Sequence, residues 1–175
     1  MTQLLATLDG SPFSEEILPV VGSLALGLGA RLTLLTVVPY PSGTRASGVV
    51  ASDAPVDQSV SGPAFEEVSV AVNPAEPVWA EREGQAIARA KDEGLEYLTR
   101  VTESMRVTGV DLNLEVAIEE DPAKAILESA QRNRVDYIAM CTHGRSGLNR
   151  LIHGSVTAAV INLSAVPILL VHPKG

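Results

Sequence analysis

Five of the eight residues from Arg31 to Val38 are leucine or valine, and they fall on both sides of an extended chain: Leu32, Leu34 and Val38 on one, Leu35 and Val37 on the other. Successive strand side chains alternate between faces, so such a strand must be covered on both, the condition met by a parallel sheet packed between helices. The rest of the chain has to supply those helices and further strands. Gln3 to Leu8 is a second short apolar run, stopping at Asp9-Gly10-Ser11-Pro12; Val135 to Met140 is a third. Val110 to Ile118 alternates Leu112, Leu114 and Val116, the pattern of a strand near one edge. Val166 to Val171 forms the last strand, and Pro167 near its start suits the other edge.

Helical spacing fills the intervals. Ser11 caps and Pro12 opens a segment in which Phe13, Ile17, Val21, Leu24 and Leu28 recur, with Pro19 expected to kink it and Gly27 and Gly29 to end it. From about residue 73 to Val107, a face of Ile87, Lys91, Gly94, Leu98, Val101 and Met105 predicts a helix. Unbroken, it would run roughly 30 residues and about 45 Å, so a break at Gly84 or Gly94 is expected. Asp121-Pro122 opens a helix with Ala123, Ile126, Leu127 and Ala130 as its stripe, and Val156, Ala159, Val160 and Leu163 mark the last one.

The order β-α-β-(insertion)-α-β-α-β-α-β predicts one α/β domain over residues 1–175. Its core is a single open, doubly wound, five-stranded parallel sheet with helices on both faces, Rossmann-like. The insertion, at about 39–77, is rich in Ser, Gly, Pro, Ala and Val without helical periodicity, and is read as a cover over the site or a partner-binding segment.

A net charge of −8 and a pI near 4.8 argue against nucleic acid and anionic membrane as partners. The apolar runs are too short to span a membrane and the first residues lack a signal-peptide layout, so the expected location is cytoplasmic. The single cysteine, Cys141, permits no intrachain disulfide, and without an activating neighbour it reads as a small buried residue rather than a nucleophile. His143 and His153 lack a third ligand, so no metal site is expected. Gly27-x-Gly29 ends a helix instead of opening one; the Gly144 to Gly147 turn lacks a P-loop lysine; Leu148 breaks a Gly-x-Ser-x-Gly elbow.

Ligands of doubly wound sheets sit at strand carboxyl ends, and Asp9, Val37 and Met140 to Gly144 lie there. Met140-Cys141-Thr142-His143-Gly144-Arg145-Ser146-Gly147 leads from an apolar strand into a glycine-bearing turn, and Gly154-Ser155-Val156-Thr157 opens the final helix. Exposed N–H groups in such a turn and at a helix N-terminus form a candidate phosphate cradle.

These blocks, together with Leu8-Asp9-Gly10-Ser11, resemble the universal stress protein family over nearly the whole chain apart from the insertion. Nucleotide-binding members carry Gly-x2-Gly-x9-Gly followed by Ser or Thr. Here Gly144, the nine residues Arg145 to His153, and Gly154-Ser155 match; Cys141 holds the first glycine's position, and Glu120 stands where a glycine often precedes Asp121-Pro122. The resemblance implies an ATP- or AMP-type nucleotide, with or without Mg²⁺. Asp9 and Val37 would meet adenine and ribose; Gly144, Gly154, Ser155 and neighbouring amides would hold the phosphates, with His143 and Arg145 as added donors. Leu8, Met140, Thr142, Gly147, Val156 and Thr157 complete the predicted lining. It also implies a homodimer through antiparallel pairing of the last strand, Pro167 to His172. Two alternatives stay open: slow ATP hydrolysis, with His143, Glu120 or His153 orienting water, and a structural or signalling homodimer that binds no nucleotide.

Overall fold

The computed structural model describes residues 1–41, 78–104, 109–142 and 154–172. Strands β1 (Gln3–Leu8), β2 (Arg31–Val38), β3 (Asp111–Ile118), β4 (Tyr137–Cys141) and β5 (Ile168–Val171) form one sheet in the order β3-β2-β1-β4-β5. All four pairings are parallel. The helices are α1 (Pro12–Glu15), α2 (Leu18–Leu28), α3 (Val78–Ser104), α4 (Pro122–Arg132) and α5 (Ser155–Leu163). This is the five-stranded, doubly wound sheet expected, with β3 and β5 at its edges and the long insertion between β2 and α3. Most of that insertion, residues 42–77, lies outside the described residues.

The alternation in β1 and β2 sorts the core into two layers. Leu4, Ala6, Leu8, Leu32 and Leu34 pack with Ile17, Val21, Leu98 and Val101, under α1 to α3. Leu5, Leu35, Ile138 and Met140 pack with Ala123, Ile126 and Val160, under α4 and α5. Each fully buried leucine contributes on the order of 2 kcal/mol. The winding reverses between β1 and β4, so the switch point lies where those two strands end.

Two local expectations are corrected. Pro19 does not kink one helix: the chain breaks into α1 and α2, and Pro19 sits in the first turn of α2, where its missing N–H breaks no helical bond. Nor does either glycine interrupt α3, which runs 27 residues from Val78. Lys91 on its expected inner face is exposed, and Met105 lies outside the described residues.

Gly94 is instead the point of closest approach between α3 and the sheet. A Cβ built there would lie 2.8 Å from Val116 Cγ1 and 3.5 Å from Thr36 Cγ2, whereas one at Gly84 meets nothing within 4 Å among the described residues. Val116 is β-branched and stiff at χ1, so it cannot swing clear cheaply. Helix propensity favours alanine at both positions by about 1 kcal/mol, but overpacking costs about 1–3 kcal/mol. Gly84→Ala should therefore raise the urea midpoint and Gly94→Ala should lower it; a gain at both positions would refute the close packing of α3.

Candidate functional site

The carboxyl ends of β1, β2 and β4 open toward the same end of the molecule, and among the described residues there the β1–α1 turn is densely hydrogen-bonded. Gly10 takes φ +83°, a left-handed turn residue that lets the chain leave β1 and reverse. The turn brings Asp9 back onto Ser11, whose amide (2.9 Å) and hydroxyl (2.5 Å) both donate to Asp9 Oδ1. Ser11 Oγ in turn accepts the Ser14 amide at 3.1 Å, capping α1. Ser14 Oγ donates to the Ser11 carbonyl at 2.9 Å and accepts the Asp9 amide at 3.2 Å. The Asp9 carboxylate is thus held by local donors, and its outer face stays exposed.

Partial burial pushes the Asp9 carboxyl upward, but the hydrogen bonds from Ser11 and Ser14 outweigh it and hold the group below its ordinary value. A depressed folded-state value stabilises the fold above the unfolded value, about 4, and that contribution disappears as pH falls through the folded value.

The β4 end is tied to the same turn. Cys141 Sγ donates to the Ser14 carbonyl at 3.7 Å. Its thiol is pushed up to about 11 by burial, with the charges of Glu16 and Asp9 adding to the effect, so it stays protonated near neutrality. Cys141 lies in extended strand, paired with Val171, and the only non-glycine residue at positive φ among the described residues is Arg134. The position that holds the first motif glycine in nucleotide-binding members therefore demands no glycine backbone here.

The other predicted residues are placed unevenly. Leu8 and Met140 point into opposite core layers, leaving their backbones at the strand ends. Val37 is half-buried against the second layer. Thr142 is buried, with Oγ1 2.6 Å from His172 Nδ1 and its amide donating to the Val171 carbonyl at 3.0 Å. Gly154 and Ser155 are exposed at the start of α5, Val156 is half-buried and Thr157 buried. Gly154 is the N-cap of α5 with no side-chain cap bond, and a Cβ there would meet nothing within 4 Å among the described residues. The first amides of a helix lack intrahelical acceptors, so the start of α5 carries N–H donors of the kind that suit an anion. His143, Gly144, Arg145 and Gly147 lie outside the described residues, as do Ser146 and His153.

Glu120 is an exposed residue beyond edge strand β3, its amide donating to Glu119 Oε1 at 3.0 Å. Asp121 beside it caps α4 by accepting the Ala123 and Lys124 amides at 2.9 and 3.3 Å.

Three residues near these strand ends escaped sequence reasoning: Ser14, His172 and Tyr97. The Ser11-x-x-Ser14 spacing is a capping signal that could have exposed the first. Tyr97, on α3, has a buried hydroxyl without a hydrogen-bond partner among the described residues, and burial raises its pKa, with Glu15 and Asp9 adding to the rise. No sequence pattern marks it, since only the packing of α3 against α1 brings it there.

A model of the universal stress protein family matches residues 1–172. The chain belongs to the universal stress protein family. Universal stress protein MJ0531 of Methanocaldococcus jannaschii is 38% identical over 81 residues, 46% of this chain and 47% of that relative, so the match spans about half of each. The fold is shared with the solved structure of protein MJ0577, at a TM-score of 0.67 and 20% identity, covering 99% of this chain and 97% of that one. It is also shared with a universal stress protein crystallised in complex with cAMP, at a TM-score of 0.58 and 18% identity, covering 98% and 96%.

The Asp9 turn gives this family member a pH signature. Asp9→Ala should lower stability at pH 7, and the gap to the parent chain should close as pH falls from about 4. Urea melts across that range measure it; a gap independent of pH would show that the carboxylate bonds contribute nothing.

Proposed function

We propose that this chain binds an adenine nucleotide of the ATP or AMP type across the carboxyl ends of β1, β2 and β4, serving stress response or regulation without a dedicated catalytic apparatus. One observation carries the reading: an α5 N-terminus opened by a glycine with no described residue within 4 Å of its Cβ position, at the end of the sheet where Asp9 is exposed. The helix start suits phosphate and the turn suits ribose hydroxyls. The complex of a family member with cAMP supports an adenine nucleotide as the ligand class. In this assignment Asp9 and Val37 face the nucleoside, while Gly144, Gly154, Ser155 and their neighbours face the phosphates, with or without Mg²⁺.

Calorimetric titration with ATP and AMP tests the reading, and neither heat nor a thermal shift would overturn it in favour of the non-nucleotide alternative. Gly154→Val should weaken binding at least tenfold, beyond the modest loss of stability that valine brings at an N-cap, because a Cβ there meets no described residue within 4 Å. Cys141→Gly should change affinity less than threefold, since that position is ordinary extended strand. Phosphate release that continues in step with bound ATP and disappears in Gly154→Val would move the protein to the hydrolytic alternative.

We further propose that the chain pairs with a second copy through β5. All four residues of this edge strand, Ile168 to Val171, are only partly buried, and its outer backbone groups have no neighbouring strand among the described residues. Sedimentation should give a dimer at micromolar concentration; a monomer there would refute the pairing.

A further inference from the structure

The end of the sheet opposite the Asp9 turn holds a polar basin with no part in the proposed nucleotide site. Its cause is visible in the chain path. After α4 ends at Arg132, Arg134 adopts φ +49° and the Asp136 amide bonds the Gln3 carbonyl at 2.8 Å, carrying the chain away toward β4. The first residues of β2 and β3 lie by the end of α4 on its face of the sheet, with Thr33 buried and Arg31, Asp111 and Asn113 exposed. Those positions are polar where the same face further along carries Leu35 and Ala117. Arg31 and Asp111 are register partners, as are Thr33 and Asn113. The result is a cavity of about 530 Å³ lined by these four residues with Gln3, Arg132 and others, within the size range of small-molecule sites.

The walls are prepositioned. Arg31 Nε bonds Asp111 Oδ2 at 2.8 Å. Glu115 anchors the far side, accepting from Ser129 Oγ at 3.0 Å, from Asn133 Nδ2 at 2.7 Å and from Arg132 Nη2. Each guanidinium spends one nitrogen on its carboxylate and forms no other hydrogen bond among the described residues, so most of its donors remain for a ligand. The Gln3 side-chain amide likewise has no partner among them, while the Asn113 carbonyl oxygen and Asp111 Oδ1 remain as acceptors. The charges of Arg31 and Arg132 are balanced by Asp111 and Glu115, so recognition rests on hydrogen-bond geometry: the spare donors outnumber the acceptors, and arginine forks match phosphate oxygens in pairs. The amide, hydroxyl and carboxylate groups around them suit hydroxyls. An apolar ligand has little to bury against here.

We infer that this basin binds a small phosphorylated polyol of the sugar monophosphate class. The inference is independent of whether the opposite end of the sheet takes a nucleotide, since the two lie roughly 23 Å apart along β2. The test is a backbone and arginine Nε NMR titration of the full chain with ribose 5-phosphate, and with ribose and inorganic phosphate separately. Ribose 5-phosphate should shift signals of Arg31, Asn113, Arg132 and Asn133 with a submillimolar Kd, at least tenfold tighter than phosphate alone. Arg31→Gln with Arg132→Gln should abolish those shifts; Asn113→Ala, which removes no ion pair, should weaken binding several-fold and covers the case in which the double variant misfolds. Absence of shifts, shifts confined to Asp9 to Ser14 and Gly154 to Thr157, or equal affinity for phosphate alone would each overturn it.

Discussion

Two-sided burial of β1 and β2 is the constraint on which everything else in this molecule depends. Leu4, Leu5, Leu32, Leu34 and Leu35 are each at most 1% exposed, and they point alternately into the two core layers. Neither layer can be removed without uncovering the other half of the same strands. That requirement makes the sheet parallel, because crossover helices are what cover its faces. A parallel sheet gathers all its carboxyl ends on one side and its amino ends on the other. The two ends then have different chemistry available: turns and helix starts at one, strand starts and helix finishes at the other.

At the carboxyl ends the sequence has specialised in local hydrogen bonding. Asp9, Ser11 and Ser14 satisfy one another within six residues, and Cys141 adds a contact from β4 to the same Ser14 carbonyl. The turn is therefore rigid before anything binds, which reduces the ordering cost a ligand would have to meet. Tyr97 stands apart as a buried hydroxyl left without a partner among the described residues. An unpaired buried hydroxyl costs roughly 1–3 kcal/mol, so α3 retains its place on β2 and β3 through apolar packing rather than through that group. Leu98 and Val101, on the same helix, supply the packing.

Much of the fold was legible because its signals are periodic. The apolar runs and helical stripes located all five strands, and Asp121-Pro122 and Ser11-Pro12 marked two helix starts through capping chemistry that is entirely local. What failed was glycine and proline read by propensity alone. Gly94 looks like a helix breaker in sequence; in space it is where α3 touches Val116, a contact between residues far apart in the chain. Pro19 looks like a kink, yet its effect depends on where the preceding turn happens to end. The candidate site was legible at Asp9 and Gly154 for the same local reasons. The basin at the other end was not, since Arg31, Asp111 and Arg132 are unremarkable surface residues until the register of β2 and β3 and the end of α4 bring them together.

Cys141 shows how structure changes the weight of a sequence departure. A glycine in a motif has two different physical meanings, a backbone conformation that other residues resist or simple lack of bulk. Extended geometry at β4 removes the first meaning. The second is answered by where the side chain goes: Sγ points toward the Ser14 carbonyl and packs against the first core layer, beneath the turn. The substitution thus adds a contact that binds the β4 end to the β1–α1 turn, the two segments that meet at the switch point. A residue that reads as a departure when compared letter by letter is, in three dimensions, a tie between β4 and the β1–α1 turn.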